Sequence, residues 1–330
     1  MVTPVWVATF IKVLIFGGTF YLLYEALLTE NSLPETWLLA LRDILKKGEW
    51  FYILLAAVLI FFNWGLEARK WQILAAKVEI INFWQAYRAV LVGVCLGFIT
   101  PNRIGDYAGR ILALQSRQRL EGLGAIFLGR FCQLFVTVMA GTVGVFYFLI
   151  KYYNFGSLVL LSLGMILLLI NGALFLLLLW PKIIIAALSV LPSLQKFIRY
   201  INIITQYSLK ETFKLLQISL LRYLVFAGQY MLLLTAFGVK VSWWEMALGV
   251  SGTFLLKSVV PSFSSLSDLG MRELSAIYFF SLLGQNKLSV MSASLSLWFL
   301  NIALPSLAGL IFVYSLKGQR TKKQKRLRVT

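Results

Sequence analysis

The stretch Ala89-Val-Leu-Val-Gly93-Val-Cys95-Leu-Gly97-Phe-Ile-Thr-Pro101-Asn102, held between Arg88 and Arg103, is apolar but too short to cross a membrane. It has 14 uncharged residues, whereas a helix needs about 20 to span a hydrocarbon core of ~30 Å. It runs directly into Arg103-Ile-Gly105-Asp106-Tyr-Ala-Gly109-Arg110. Pro101 interrupts a helix and frees backbone groups. Gly105 and Gly109 permit tight turning and close backbone approach. An undersized apolar run that ends in proline, glycine and paired charges reads as a broken or re-entrant helix. Such backbone survives at membrane depth only where protein buries it or a wet cavity receives it.

The flanking sequence supplies the membrane. Phe131–Ile150, Tyr152–Pro181, Tyr223–Val239 and Leu288–Leu316 carry no charge at all. Of the 330 residues, 60% are hydrophobic and 13% charged, against roughly 45–50% and 25% in soluble domains. The runs do not alternate in units of about ten, which excludes a β-barrel. Six full crossings are expected, near 6–28, 50–66, 122–150, 156–180, 213–237 and 290–315. The first, Trp6–Leu28, lacks a small-residue cleavage site and reads as a retained helix.

A second interrupted element echoes the first. Met246–Leu256, uncharged between Glu245 and Lys257, is shorter still, and it leads into Pro261-Ser-Phe-Ser-Ser-Leu-Ser-Asp268-Leu-Gly270. A further short run, Leu274–Asn286, follows. Pro101 and Pro261 stand at corresponding places in the two halves of the chain, and each follows a tryptophan, Trp84 and Trp244, at the same interval. Three crossings separate the two clusters, which places them on opposite sides of the membrane. The expected fold is therefore an all-α polytopic helical bundle of two inverted-topology repeats, about 6–150 and 156–316. Each repeat has three crossings and one broken element. Residues 1–316 form one transmembrane domain, and 317–330 a basic cytoplasmic tail.

Charge placement agrees. The net charge is +18, but the basic residues sit between the apolar runs rather than in a nucleic-acid-binding face. With the tail inside, Arg103, Arg110, Arg117 and Arg119 fall inside, as do Lys182, Lys196, Arg199 and Lys210. The slightly acidic loop 29–49 falls outside. That is the positive-inside pattern, with both termini cytoplasmic. The loop 181–212 suggests an amphipathic surface helix.

The candidate substrate-binding residues are Arg103, Asp106 and Arg110 in the first cluster, and Asp268, Arg272 and Glu273 in the second. Arginine forks suit phosphate or carboxylate, and an intramembrane carboxylate orients them or meets a cationic group. Pro101, Gly105, Pro261 and Gly270 are the candidate hinges or helix breaks. Secondary candidates are Arg69 and Lys70, Lys257, and Arg222, which is either the end of a basic surface face or a charge drawn into the bundle. The group from Asn63 to Trp71 otherwise reads as ordinary interfacial anchoring. With no histidine, two separated cysteines (Cys95 and Cys132) and no P-loop, neither a catalytic residue, a metal nor a cofactor is expected.

These residues resemble a known family. Gly97-Phe-Ile-Thr-Pro101-Asn-Arg103-Ile-Gly105-Asp106-Tyr-Ala-Gly109-Arg110, Arg69-Lys70-Trp71 and the later Pro261…Asp268-Leu-Gly270-Met-Arg272-Glu273 are similar to the lysylphosphatidylglycerol synthase transmembrane family, over roughly 10–315. Where that family usually has Glu, this chain has Asp106, and its second motif is serine-rich. The resemblance implies movement of a charged-headgroup lipid between leaflets of a bacterial cytoplasmic membrane. The aminoacyl-transferase activity of the family's best-known member is not expected of this chain. The ligand would be an anionic or zwitterionic phospholipid, or a polyprenyl-phosphate-linked lipid. Protein partners would be a second copy of the chain or a lipid synthase. Two rival functions stand beside transport: a membrane-embedded transferase using Asp106 or Asp268 as base, and a non-transporting partner of a lipid synthase.

Overall fold

A computed structural model of the chain describes Arg42, Ile44 and residues 48–312 apart from 101–102, 193–194 and 261–264. Of Ile99, Lys196 and residues 265–269 it describes the backbone alone. The crossing expected at 6–28, most of the acidic loop, Pro101, Pro261, the Asp268 side chain and the tail lie outside the described residues.

Among the described residues the chain is 86% helical and has no strand. The helices are α1 (Trp50–Ala75), α2 (Phe83–Ile99), α3 (Ile104–Ala113), α4 (Gly122–Tyr152), α5 (Ser157–Leu179) and α6 (Pro181–Ser189). They continue as α7 (Gln195–Ile201), α8 (Leu209–Ala236), α9 (Trp243–Val259), α10 (Ser265–Leu282) and α11, which starts at Lys287. Helix α11 passes through a π-helical turn, Phe299–Ala303, and runs on to Phe312. Among the described residues five helices are long and apolar enough to cross a membrane: α1, α4, α5, α8 and α11. They coincide with five of the six expected crossings.

Three of these helices outrun their apolar cores. Helix α1 has 26 residues, α4 has 31 and α8 has 28, so α4 is about 46 Å long at a 1.5 Å rise. The expected crossing near 50–66 stops before Glu67, whereas those near 122–150 and 213–237 already run through Arg130 and Arg222. The helices continue because those charges find partners inside the protein. In α5 the opposite holds: of Ser157–Leu179 only Leu178 is buried, as befits a charge-free helix facing lipid.

The two interrupted elements are helical hairpins. In the first, α2 packs on α3; in the second, α9 packs on α10. Their first arms share length and register: Phe83–Ile99 and Trp243–Val259 both have 17 residues, and each boundary of the second lies 160 beyond the first (83 to 243, 99 to 259). Each arm starts on a side-chain N-cap. Asn82 accepts from the Gln85 amide, and Ser242 from the Glu245 amide. The run 274–286 is not a separate element, because α10 absorbs most of it. Gly270 also departs from expectation: it lies buried inside α10 rather than at a break, since the interruption falls before Ser265.

The chain divides into two compact units. One comprises Phe61–Val136, Asn171–Tyr223 and the chain from Leu300 on; it contains the first hairpin. Its amide groups and side chains tie α1 to the connecting segments: Tyr207 donates to the Leu74 carbonyl at 2.6 Å, and Glu79 accepts from the Gln115 and Ser116 amides at 2.6 and 2.8 Å. The other comprises Met1–Ile60, Thr137–Ile170 and Leu224–Phe299; it contains the second hairpin. Its core gathers Phe148, Leu248 and Phe279. Gly144 lets α4 approach α9 closely there, since a Cβ would stand 2.6 Å from the Leu248 carbonyl oxygen. The expected surface helix of 181–212 takes the form of α6, α7 and a 3-10 turn at Asn202–Gln206.

Candidate functional site

In the first-hairpin unit, four helices each bring one face of polar residues to a common place. On α1, Trp64, Glu67, Lys70 and Trp71 recur at spacings of three and four, which is one side of a helix. Asp106 and Arg110 stand one turn apart on α3, Arg130 and Gln133 on α4, and Ser219 and Arg222 on α8. Glu67, Lys70, Asp106 and Arg110 are all at most 5% exposed.

The side chains form a chain of alternating charge. Arg130 pairs with Asp106, and Asp106 accepts from Arg110 Nε at 3.1 Å. Arg110 Nη1 reaches Glu67 at 2.8 Å. Glu67 Oε2 then meets both Lys70 at 2.9 Å and Arg222 Nη1 at 3.2 Å. Gln133 Oε1 accepts from Lys70 and from Arg222, each at 3.3 Å. Aromatic faces support the guanidiniums: Arg110 lies over Trp71, Arg130 over Tyr107 at 4.9 Å, and Arg222 over Trp64 at 5.5 Å. Such contacts suit cations that have lost water.

Among the described residues four cations and two carboxylates make up this network, a surplus of two positive charges. Arg103 adds its field to Asp106 and Arg222. A buried ion that lacks a partner costs several kcal/mol. The buried members, Glu67, Lys70, Asp106 and Arg110, balance, so the surplus rests on Arg130 and Arg222, which stay 41% and 22% exposed and can meet an anion. The Nε atoms of Arg130 and Arg222 are buried and make no hydrogen bond among the described residues.

The break in the first hairpin is what delivers Asp106 and Arg110. Thr100 stitches it: its hydroxyl donates to the Leu96 carbonyl at 2.8 Å and accepts from the Gly105 amide at 2.7 Å. Arg103, at the N-cap of α3, adopts a left-handed backbone with φ of 53°. For a non-glycine residue this is an uncommon and costly state, typical of sites rather than of plain loops. Gly109 closes the hairpin: a Cβ there would stand 2.6 Å from the Cα of Gly93. A Cβ on Gly105 would likewise collide with the Leu96 carbonyl. Gly105 is thus a contact position inside α3 rather than the break itself.

The second-hairpin unit contains a smaller group. Arg272 donates from Nε to Ser294 Oγ at 2.9 Å and from Nη2 to the Ser294 carbonyl at 3.0 Å. Its neighbour Glu273 lies 3.4 Å away. All three are buried. The i, i+4 pairing of Arg272 with Asp268 involves a side chain outside the described residues. Lys257 sits half-buried in the last turn of α9.

A family model described as the lysylphosphatidylglycerol synthase TM region matches residues 6–309. The chain belongs to the lysylphosphatidylglycerol synthase transmembrane family. It is a multi-pass membrane protein with a lipid-related function. Comparison with curated proteins and with solved structures finds no match.

Within this family member, the structure brings Asp106 and Arg110 together with Lys70 and Arg222, and places Arg103 nearby. It leaves Arg69 exposed on α1, hydrogen-bonded to Gln72. Arg272 and Glu273 belong to the other unit. Sequence reasoning left Arg130 and Gln133 out and read Glu67 among interfacial anchors. Trp64, Lys70 and Trp71 are at most 4% exposed, so they are not anchors at a lipid surface. The available signal was spacing: Glu67, Lys70 and Trp71 share a helical face. Arg130 lies unremarked inside the expected crossing 122–150, and for Arg222, inside 213–237, the place within the bundle is one of two readings.

Proposed function

We propose that this protein moves a lipid with a charged, phosphate-bearing headgroup between the leaflets of a membrane without altering it covalently. The observation that carries this reading is the surplus of positive charge among the described residues of the first-hairpin unit, which rests on the part-exposed Arg130 and Arg222 at the two ends of a buried, balanced core. A structural ion-pair network tends to balance its charges, because each unmatched ion is expensive. A surplus set among crossing helices suits a site that is completed by an anion arriving from the membrane. The headgroup binds among Arg103, Arg110, Arg130 and Arg222, and the acyl chains stay in hydrocarbon. Asp106 and Glu67 hold those cations while the site is empty and release them to the phosphate when it is filled. In the second hairpin, Arg272 and Glu273, with Asp268 beside them in sequence, are the further substrate-binding residues. Residues 1–316 act as one transmembrane domain made of two related halves. The basic loops place both termini and the tail 317–330 in the cytoplasm, in the plasma membrane of a bacterium.

The test uses the full chain reconstituted in vesicles holding fluorescent headgroup-labelled phospholipid, with an impermeant quencher outside. The expected result is a quenchable fraction above that of protein-free vesicles, a loss of that activity in Arg103→Ala, and lipid of unchanged mass. Quenching equal to the protein-free control would overturn the reading. A lipid of altered mass would replace it with the transferase reading.

A further inference from the structure

The alternating chain in the first-hairpin unit has cations at both ends, and the ends differ from the middle. Arg110 and Lys70 are buried and saturated by carboxylates and Gln133. Arg130 and Arg222 keep 41% and 22% of their side chains exposed, so a ligand can reach them. Each rests on an aromatic ring and each has a buried Nε with no hydrogen bond among the described residues. Among the described residues each also touches a single carboxylate, which it shares with other cations: Arg130 shares Asp106 with Arg110, and Arg222 shares Glu67 with Arg110 and Lys70. The two under-satisfied guanidiniums are thus the ones a ligand meets.

We infer that Arg130 and Arg222 form a recognition site for a doubly charged phosphate, and that this family member selects phosphomonoester lipids against cationic aminoacylated ones. The inference rests on the lipid-transport reading and names its substrate class. Its basis is charge arithmetic. Among the described residues the network is two negative charges short, and a phosphomonoester brings about −1.5 to −2 at neutral pH. A phosphodiester such as phosphatidylglycerol brings a single negative charge. A zwitterionic headgroup brings no net charge. A lysyl ester of phosphatidylglycerol is a net cation, and its ammonium groups would face four cations held by two carboxylates. Geometry points the same way. Guanidinium forks bind phosphate oxygens through paired N–H groups, and both arginines have donors to spare. An ammonium needs acceptors, yet both carboxylates are occupied.

The experiment measures binding to the purified full-length protein in mixed micelles. The probes are short-chain phosphatidic acid, phosphatidylglycerol, phosphatidylcholine and lysylphosphatidylglycerol, with inorganic phosphate as a competitor. Phosphatidic acid should bind tightest, by about tenfold or more over phosphatidylglycerol, with the other two weaker still. Arg222→Gln and Arg130→Gln should each weaken phosphatidic acid by about tenfold and leave phosphatidylcholine unaffected. If either variant fails to fold, Arg222→Lys and Arg130→Lys retain the charge but lose the fork, and should still flatten the preference. Equal binding of all four lipids, or tightest binding of the lysyl lipid, overturns the inference. Inorganic phosphate that competes as well as phosphatidic acid supports the phosphate site but contradicts the lipid-transport reading. Transport in vesicles with a preference for the lysyl lipid does the reverse.

Discussion

Replacing Glu67 by glutamine should destabilise the protein more than any other single change in the α1 face. Glu67 holds three cations at once: Arg110 at 2.8 Å, Lys70 at 2.9 Å and Arg222 at 3.2 Å. Glutamine keeps the shape and one carbonyl oxygen but removes the charge. The local surplus then rises from two positive charges to three. Two of the three cations left behind, Lys70 and Arg110, are at most 5% exposed. Removing one partner of a buried ion pair costs ~3–5 kcal/mol. At about 2 °C per kcal/mol for a chain of this size, the melting temperature should fall by roughly 6–10 °C. Tryptophan fluorescence in detergent reports the transition. The double variant Glu67→Gln/Arg222→Gln removes one charge of each sign and should recover more than half of the loss, because neighbouring charges couple. A Glu67→Gln protein that melts within about 2 °C of wild type would refute the claim that these cations depend on this carboxylate.

Gly109→Ala should destabilise by ~1–3 kcal/mol through overpacking, since its Cβ would press on backbone at Gly93; the melting temperature and the yield of folded protein report it. Arg272→Ala should cost ~3–5 kcal/mol because three buried hydrogen bonds go with it, and Arg272→Lys should recover less than half, since an ammonium cannot reproduce the fork; detergent unfolding measures both. In the first turn of α9, the Lys151 ammonium and the Ser242 hydroxyl hold the Glu245 carboxyl below the usual carboxylate range. A depressed folded value means stability that is present at neutral pH and lost as pH falls through that lowered value. The melting temperature of wild type should therefore drop in acid more steeply than that of Glu245→Gln, and parallel acid profiles would contradict this.

The membrane class, five of the crossings and both interrupted hairpins were legible in the sequence because each rests on a local quantity. Charge-free length sets a crossing, and proline with glycine after a short apolar run sets a break. The repeat of register needed only that Trp84 and Pro101 be compared with Trp244 and Pro261. The site was legible only in part. Asp106 and Arg110 announce themselves one turn apart beside the break, and they do pair. Their partners come from α1, α4 and α8, and no sequence spacing records which helices share a unit. Charge-counting also misled at the end of α1: the crossing is expected to stop before Glu67, but the helix carries on to Ala75 because Lys70, Arg110 and Arg222 meet that carboxylate internally. Gly270 illustrates the converse. A glycine in a broken region suggests a hinge, yet its helix forms through it.

Lipid movement by a stable variant with a neutralised pair is the most direct test. Asp106→Asn/Arg110→Gln removes one charge of each sign, so the network stays as balanced as before, and folding can be checked by its melting temperature. If the alternating chain receives the headgroup, this protein in vesicles should move labelled phospholipid at least about tenfold more slowly than wild type. A folded variant that matches the wild-type rate would show that lipid passes without touching these residues.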